Sequence, residues 1–109
     1  LGLLNETQRI EMSRKLAERL MRERDGDDER LALLFQLMTC RNPDSAERTA
    51  CDKLLQVMRN RYRDSKDDAI ALLTIGDAVR DEALDPVEHA TWTQLVVTVL
   101  ASDAAILLY

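Results

Sequence analysis

The sequence predicts an all-α fold, a compact bundle of about five helices, and three observations carry that prediction. Capping signals recur along the chain: Asn5 with Gln8, Asp44 with Glu47 and Asp85 with Glu88 each set a capping residue three positions before a partner that can reach back to it. Between these signals, apolar residues return at intervals of three and four, the period of a helix with one buried face. Only three Gly, two Pro and 4% aromatic residues leave little material for strands and tight hairpins.

Each element follows in order. The first helix opens at Asn5, with Gln8 as its capping-box partner, and carries Ile10, Leu16, Ala17, Leu20 and Met21 inward. Asp25-Gly26 is expected to end it, with the glycine in the left-handed conformation that closes helices. The second helix begins near Asp27, where Asp28 and Glu29 meet the positive end of the helix dipole. Its stripe of Leu31, Leu34, Phe35 and Met38, broadened by Leu33 and Leu37, makes it the expected centre of the core.

Asn42-Pro43 breaks the pattern because the proline ring excludes Asn42 from the helical region. The third helix, capped by Asp44, is expected to run to about Asp64 and to bury Ala50, Leu54, Val57, Met58 and Tyr62. Arg59, Arg61 and Arg63 then fall in its last turns, where cations face unpaired carbonyls; an anion site is the other use of such a group. A short fourth helix covers Lys66 to Ile75 with Ala69, Leu72 and Leu73 inward, and Gly76 stops it. Asp77 to Leu84 is polar and aperiodic and reads as a long ordered loop. In Asp85-Pro86-Val87-Glu88 the aspartate caps and the proline occupies a first-turn position where its missing N–H costs nothing. The fifth helix carries Ala90, Trp92, Leu95, Val96, Val99 and Leu100; it is rich in β-branched residues, but its cap and its length decide for helix. Ala104 to Tyr109 is an apolar tail that must pack on the bundle or continue into further chain.

The 109 residues, 46% hydrophobic and 32% charged, suit one domain with a real core rather than a disordered or collagenous chain. No apolar run approaches the ~20 residues that span a bilayer. The first residue is Leu1, so the chain reads as a single helical domain, residues 1–109, cut from a longer protein. The net charge of -5 is unevenly spread. Residues 1–66 hold 14 basic against 12 acidic side chains, whereas residues 67–109 hold Arg80 alone against eight acids. An acidic chain with four aromatics is poorly suited to nucleic acid, which needs a concentrated basic face. The acidic half suits packing against the basic half, or a basic partner.

Reactive constellations are sparse. His89 is the one histidine, and in the first turn of the fifth helix it reads as a solvated surface residue. The acid pairs Asp27/Asp28, Asp67/Asp68 and Asp81/Glu82 sit at helix starts or in the loop, where capping and solubility explain them. No Gly-rich phosphate loop, haem-attachment motif or Cys/His metal spacing occurs. No catalytic, cofactor-binding or metal residue is therefore assigned. Cys40 and Cys51, with ten residues between them, flank a helix–turn–helix connection; a disulfide or two buried thiols satisfy that placement.

Several segments, taken in order, resemble a known family. They are Leu3-Leu4-Asn5-Glu6, Arg14-Lys15-Leu16-Ala17-Glu18-Arg19, Ala32-Leu33-Leu34-Phe35-Gln36-Leu37 leading to Arg41-Asn42-Pro43, Gly76-Asp77-Ala78, Leu84-Asp85-Pro86-Val87-Glu88 and Ala90-Thr91-Trp92-Thr93. Together they resemble the C-terminal planctomycete-specific domain of large proteins that often also carry a cytochrome-c-like segment. The likeness spans nearly the whole chain and ends at Ala101-Ser102-Asp103-Ala104, where family members continue with Asn-Leu-Asp-Glu.

The resemblance implies a domain of unknown function at the C-terminal end of an exported, periplasmic or envelope-associated protein. Any haem c would then lie elsewhere in the parent chain, and Cys40 and Cys51 would sit in an oxidising compartment. Two functional expectations follow. One is a non-catalytic accessory module whose partner is another domain of its parent chain or an envelope protein. Its motive is the apolar surplus at Leu33, Leu37 and Leu55, and it requires an exposed apolar patch. The alternative is a domain that completes a redox or carbohydrate-processing site whose chemistry lies elsewhere, for which the 77–84 segment would present a concave polar face.

Overall fold

Capping chemistry sets the helix boundaries. In the computed structural model, which describes residues 4–107 and side chains as far as residue 102, the elements are α1 (Glu6–Glu23), α2 (Asp27–Thr39), α3 (Ser45–Asp64), α4 (Lys66–Leu73) and α5 (Pro86–Leu107). No strand occurs among the described residues. Both expected boxes at α1 and α3 close. The Asn5 carboxamide oxygen accepts from the Gln8 amide at 2.8 Å while Gln8 accepts from the Asn5 amide at 3.1 Å. Asp44 and Glu47 exchange the same two bonds at 2.8 and 2.9 Å. Asp85 accepts from the Glu88 amide at 3.0 Å, but the Glu88 carboxylate is committed to Arg59, from which it accepts bonds of 2.6 and 2.8 Å.

Two glycines behave differently. Gly76 has the expected positive φ, +94, but α4 ends at Leu73, two residues short of the expected Ile75, and Thr74 is its C-cap. Gly26 does not take the left-handed conformation: at φ -113 and ψ 159 it is the N-cap of α2, and α1 ends instead at Arg24 in extended backbone. The Arg30 Nε donates to the Arg24 carbonyl at 2.9 Å and ties the start of α2 to the end of α1. The left-handed residue at the end of α2 is Cys40, at φ 59.

α5, rather than α2, is the centre of the bundle. It packs against α1, α2, α3 and α4. From Val87 to Val96 nearly every side chain is buried, including His89, Thr91 and Thr93 with the apolar Ala90, Trp92 and Leu95. A helix covered on all sides shows no single apolar stripe, and for that reason the regular stripe of α2 misleads about which helix is central. Thr93 and Thr98 satisfy their hydroxyls on the carbonyls of His89 and Gln94, at 2.8 and 3.0 Å.

One apolar cluster joins Ala17 and Leu20 of α1, Leu31, Leu34 and Phe35 of α2, Cys51 and Leu55 of α3, and Trp92, Leu95, Val96 and Val99 of α5. A second joins Tyr62, Ala69, Leu73, Val87 and Ala90, where α4 closes the other end of the bundle. The radius of gyration is 13.3 Å, close to the ~13 Å of a well-packed chain of this length.

α3 is rotated from its expected register. Cys51, Leu55 and Tyr62 are buried, Leu54 and Met58 only partly, and Ala50 and Val57 are exposed. Arg59 accounts for the rotation, because it lies one turn beyond Leu55 and is drawn inward by two carboxylates. The loop expected at 77–84 is present and ordered. The backbone of α5 continues to Leu107, while the tail at residues 104–109 lies outside the residues whose side chains are described.

Candidate functional site

Three features of the fold carry chemistry or binding potential. The first is Arg59, expected in the last turns of α3 to face that helix's unpaired carbonyls. Its side chain is only 11% exposed. Besides the two bonds to Glu88 it donates to Asp27 at 3.1 and 3.3 Å, so one guanidinium ties α3 to both α5 and α2. Glu88, and then Asp27, hold it protonated more firmly than an ordinary arginine. Arg61 lies over the ring of Tyr62 at 5.3 Å. The shallow hollow beside Arg59, Arg63 and Lys66 is also lined by Asp85 and Glu88, so its charge is mixed rather than that of an anion site.

The second feature is a buried polar strap between α1, α5 and the 74–85 segment. Arg14 is fully buried. Its guanidinium donates to the carbonyls of Ile75 and Ala78, at 2.5 and 2.8 Å. Glu11 accepts from the Ala78 amide, and Arg22 pairs with Asp81 at 2.5 Å. Arg22 holds the Asp81 carboxyl below the usual carboxylate range.

His89 contradicts the expectation of a solvated residue. It is fully buried, with Nε2 3.1 Å from the carbonyl oxygen of Arg14. The first turn of α5 is roofed by α1, so this helix start is an interior position. Burial pushes the imidazole pKa below its ordinary value; the Arg14 carbonyl and Glu18 oppose that shift, and Arg14 and Arg80 add to it. Glu18 is 3% exposed and has one carboxylate oxygen without a hydrogen-bond partner.

Arg14, Glu18 and Thr91 were not legible as buried residues from composition or motif. One signal existed for Arg14: it fills the gap in the stripe Ile10, Ala17, Met21, where a helical face requires an inward residue.

The third feature is an apolar groove of about 170 Å³ between α3 and the second half of α5. Phe35, Ala50, Cys51, Leu54, Leu95 and Val99 form its floor and walls, with Glu47, Thr98 and Ser102 at its edges. One turn beyond Leu54 on α3 lies Val57, a residue 60% exposed. Ala50 and Val57 are exposed and Leu54 between them is half-buried against the core, so the stripe expected inside emerges beside the groove. Of the surplus leucines, Leu55 is in the core at 1% exposure, Leu33 packs partly against it, and Leu37 is 40% exposed.

Cys40 and Cys51 are free thiols, the first exposed and the second buried in the groove wall. Desolvation, then the neighbouring Asp52 and Glu47 charges, push the Cys51 thiol pKa up and disfavour its thiolate. Among the described residues no group of three or more His, Cys, Asp or Glu side chains could hold a metal ion. No helix in the same residues is long and apolar enough to cross a membrane. Comparison with known proteins finds no matching family model, no matching curated protein and no matching solved structure.

Proposed function

We propose that this chain is a non-catalytic helical interaction module that docks another domain of its own parent chain through the α3–α5 groove. The observation that supports this is the stripe Ala50, Leu54 and Val57, which has helical spacing fit for a core and yet leaves Ala50 and Val57 exposed and Leu54 half-buried beside an apolar hollow. An apolar helix or loop from a partner would complete the packing that α3 leaves open. The parent we assign is the large exported, cytochrome-c-associated protein whose C-terminal planctomycete-specific domain this sequence resembles, with any haem c carried outside these residues. That assignment rests on the order of the sequence segments alone. The alternative, completing a redox or carbohydrate-processing site, would need the 77–84 segment to offer its polar groups outward. Asp81 and the backbone of Ala78 are instead engaged with α1.

The test is a calorimetric titration of this domain against the remainder of the parent chain, using wild type and Leu54→Glu. Fully burying one leucine-sized side chain is worth about 1.5–3 kcal/mol, so the variant should bind at least about tenfold more weakly while remaining folded. Absence of saturable binding by wild type would redirect the search to a separate envelope protein. Binding that Leu54→Glu leaves intact would move the interface off the groove.

A further inference from the structure

We infer that His89 and Arg14 form an acid-sensitive latch that holds the 74–85 segment on α1 and releases it when the imidazole takes up a second proton. The argument begins with the tautomer. The Arg14 carbonyl can only accept, so the facing Nε2 of His89 carries the hydrogen and Nδ1 is bare. Nδ1 is buried and has no hydrogen-bond partner. A second proton would therefore create an N–H with nothing to donate to and a charge with no access to water.

The charged surroundings do not relieve this. From α1 the ring faces Arg14 and Glu18, and from the loop Arg80; Asp81 of the loop also senses its charge. On its own helix, the neighbouring Glu88 is occupied by Arg59. α4 meets α5 through Ala69 and Leu73, which offer no compensating charge. Burial and the two arginines outweigh Glu18.

Connectivity turns this local cost into release of a segment. The residue whose carbonyl receives His89 is the same one whose guanidinium holds the carbonyls of Ile75 and Ala78. An imidazolium that leaves for water parts α5 from α1 at Arg14 and withdraws the support under the loop. The core contacts of Leu31, Leu34 and Leu55 lie in the separate cluster around Trp92 and need not open.

The sign of the pH dependence follows from linkage. His89 has a lower affinity for protons in the closed form than its ordinary value of 6.5. The open form therefore binds more protons as pH falls below that value, and the closed form loses stability until its own pKa is passed.

Amide hydrogen exchange tests the latch on the intact chain, comparing about pH 7.5 with about pH 5 after correction for intrinsic rates. The reporter is the Ala78 amide, bonded to Glu11, with Leu34 and Leu55 amides as references. In wild type, Ala78 protection should fall about tenfold for each unit by which the His89 pKa is depressed, and the reference amides should hold. In His89→Gln, which keeps a donor toward Arg14 but cannot gain a proton, Ala78 protection should not change with pH. Flat protection in wild type, or an equal fall in the variant, would overturn the latch. Should the variant fail to fold, the wild-type ring is titrated by NMR. Its midpoint must lie below 6.5, with Ala78 protection falling between 6.5 and that midpoint and levelling off beneath it; a fall confined to pH outside that window overturns the proposal.

Discussion

Gly76→Ala isolates the fit between the 74–85 segment and α1. At φ +94 an alanine is strained whatever its surroundings, at a cost of about 1–2 kcal/mol. The surroundings add to this. A Cβ built at Gly76 would lie 2.7 Å from Glu11 Cδ and 2.8 Å from Glu11 Cβ. The carboxylate end of Glu11 could swing away, but its Cβ is fixed to the α1 backbone, so the loop or the helix must move. Either movement breaks the bond from the Ala78 amide to the Glu11 carboxylate, worth about 1.5–3 kcal/mol for a hydrogen bond to a charged group.

The combined loss is about 2.5–5 kcal/mol. With an unfolding entropy near 2.1 cal/mol/K per residue, that lowers Tm by roughly 10–20 °C in a chain of this length. Gly26→Ala is the control, since nothing lies within 4 Å of its Cβ position and its φ is -113. There the weaker N-cap and the stiffened unfolded chain offset each other to within about 0.5 kcal/mol. Thermal and urea unfolding followed by circular dichroism measure both variants. Gly76→Ala within about 0.5 kcal/mol of wild type would refute the close approach of loop and helix.

Other perturbations have defined outcomes. Arg59→Ala strands Asp27 and Glu88 at the meeting of three helices and should cost about 2–4 kcal/mol in urea unfolding; Arg59→Lys should recover less than half, because an ammonium cannot reproduce the forked bonds to two carboxylates. The Glu47 carboxyl is held at about 2, first by the hydrogen bond from Arg41 and then by the Asp44 amide. Its folded pKa is depressed, so its contribution is present above its ordinary 4.5 and is lost as pH falls toward about 2. Glu47→Gln should flatten that part of the curve of urea midpoint against pH, by a small amount because the pair is largely exposed. A thiol reagent such as dithionitrobenzoate should modify Cys40 at least about tenfold faster than Cys51 in the native protein, and both thiols together in urea; a chain with no reactive thiol in urea would carry the disulfide instead.

Much of the fold was written in local chemistry. The caps at Asn5, Asp44 and Asp85, the positive φ of Gly76 and the loop at 77–84 each depend on residues within a few positions of one another, and a linear reading reaches them. The misplacements share a different cause. Arg14, Arg59 and His89 are polar residues whose burial depends on partners 29 to 75 positions away. Their chemistry taken alone argues for solvent. Gly26 was given a closing role, but the chain passes from α1 to α2 in extended backbone and uses it as the N-cap of α2. The groove was half legible: Ala50, Leu54 and Val57 have the right period, but only the inward pull on Arg59 turns that period outward.

The position of α5 bears on how the chain is made. Its largest partner surface is on α1, and the two are separated in sequence by α2, α3, α4 and the loop. On a ribosome adding about 5–20 residues per second, α1 waits roughly 4–17 s before its partner has been synthesised. During that wait Ala17, Leu20, Leu31 and Leu34 have no Trp92 to cover them. The core around Trp92 therefore cannot close before α5 is made, although α1 and α2 already meet without it. A nascent chain stalled before Pro86 would lack Trp92, Leu95 and Val96 and would leave the apolar faces of α1 and α2 uncovered.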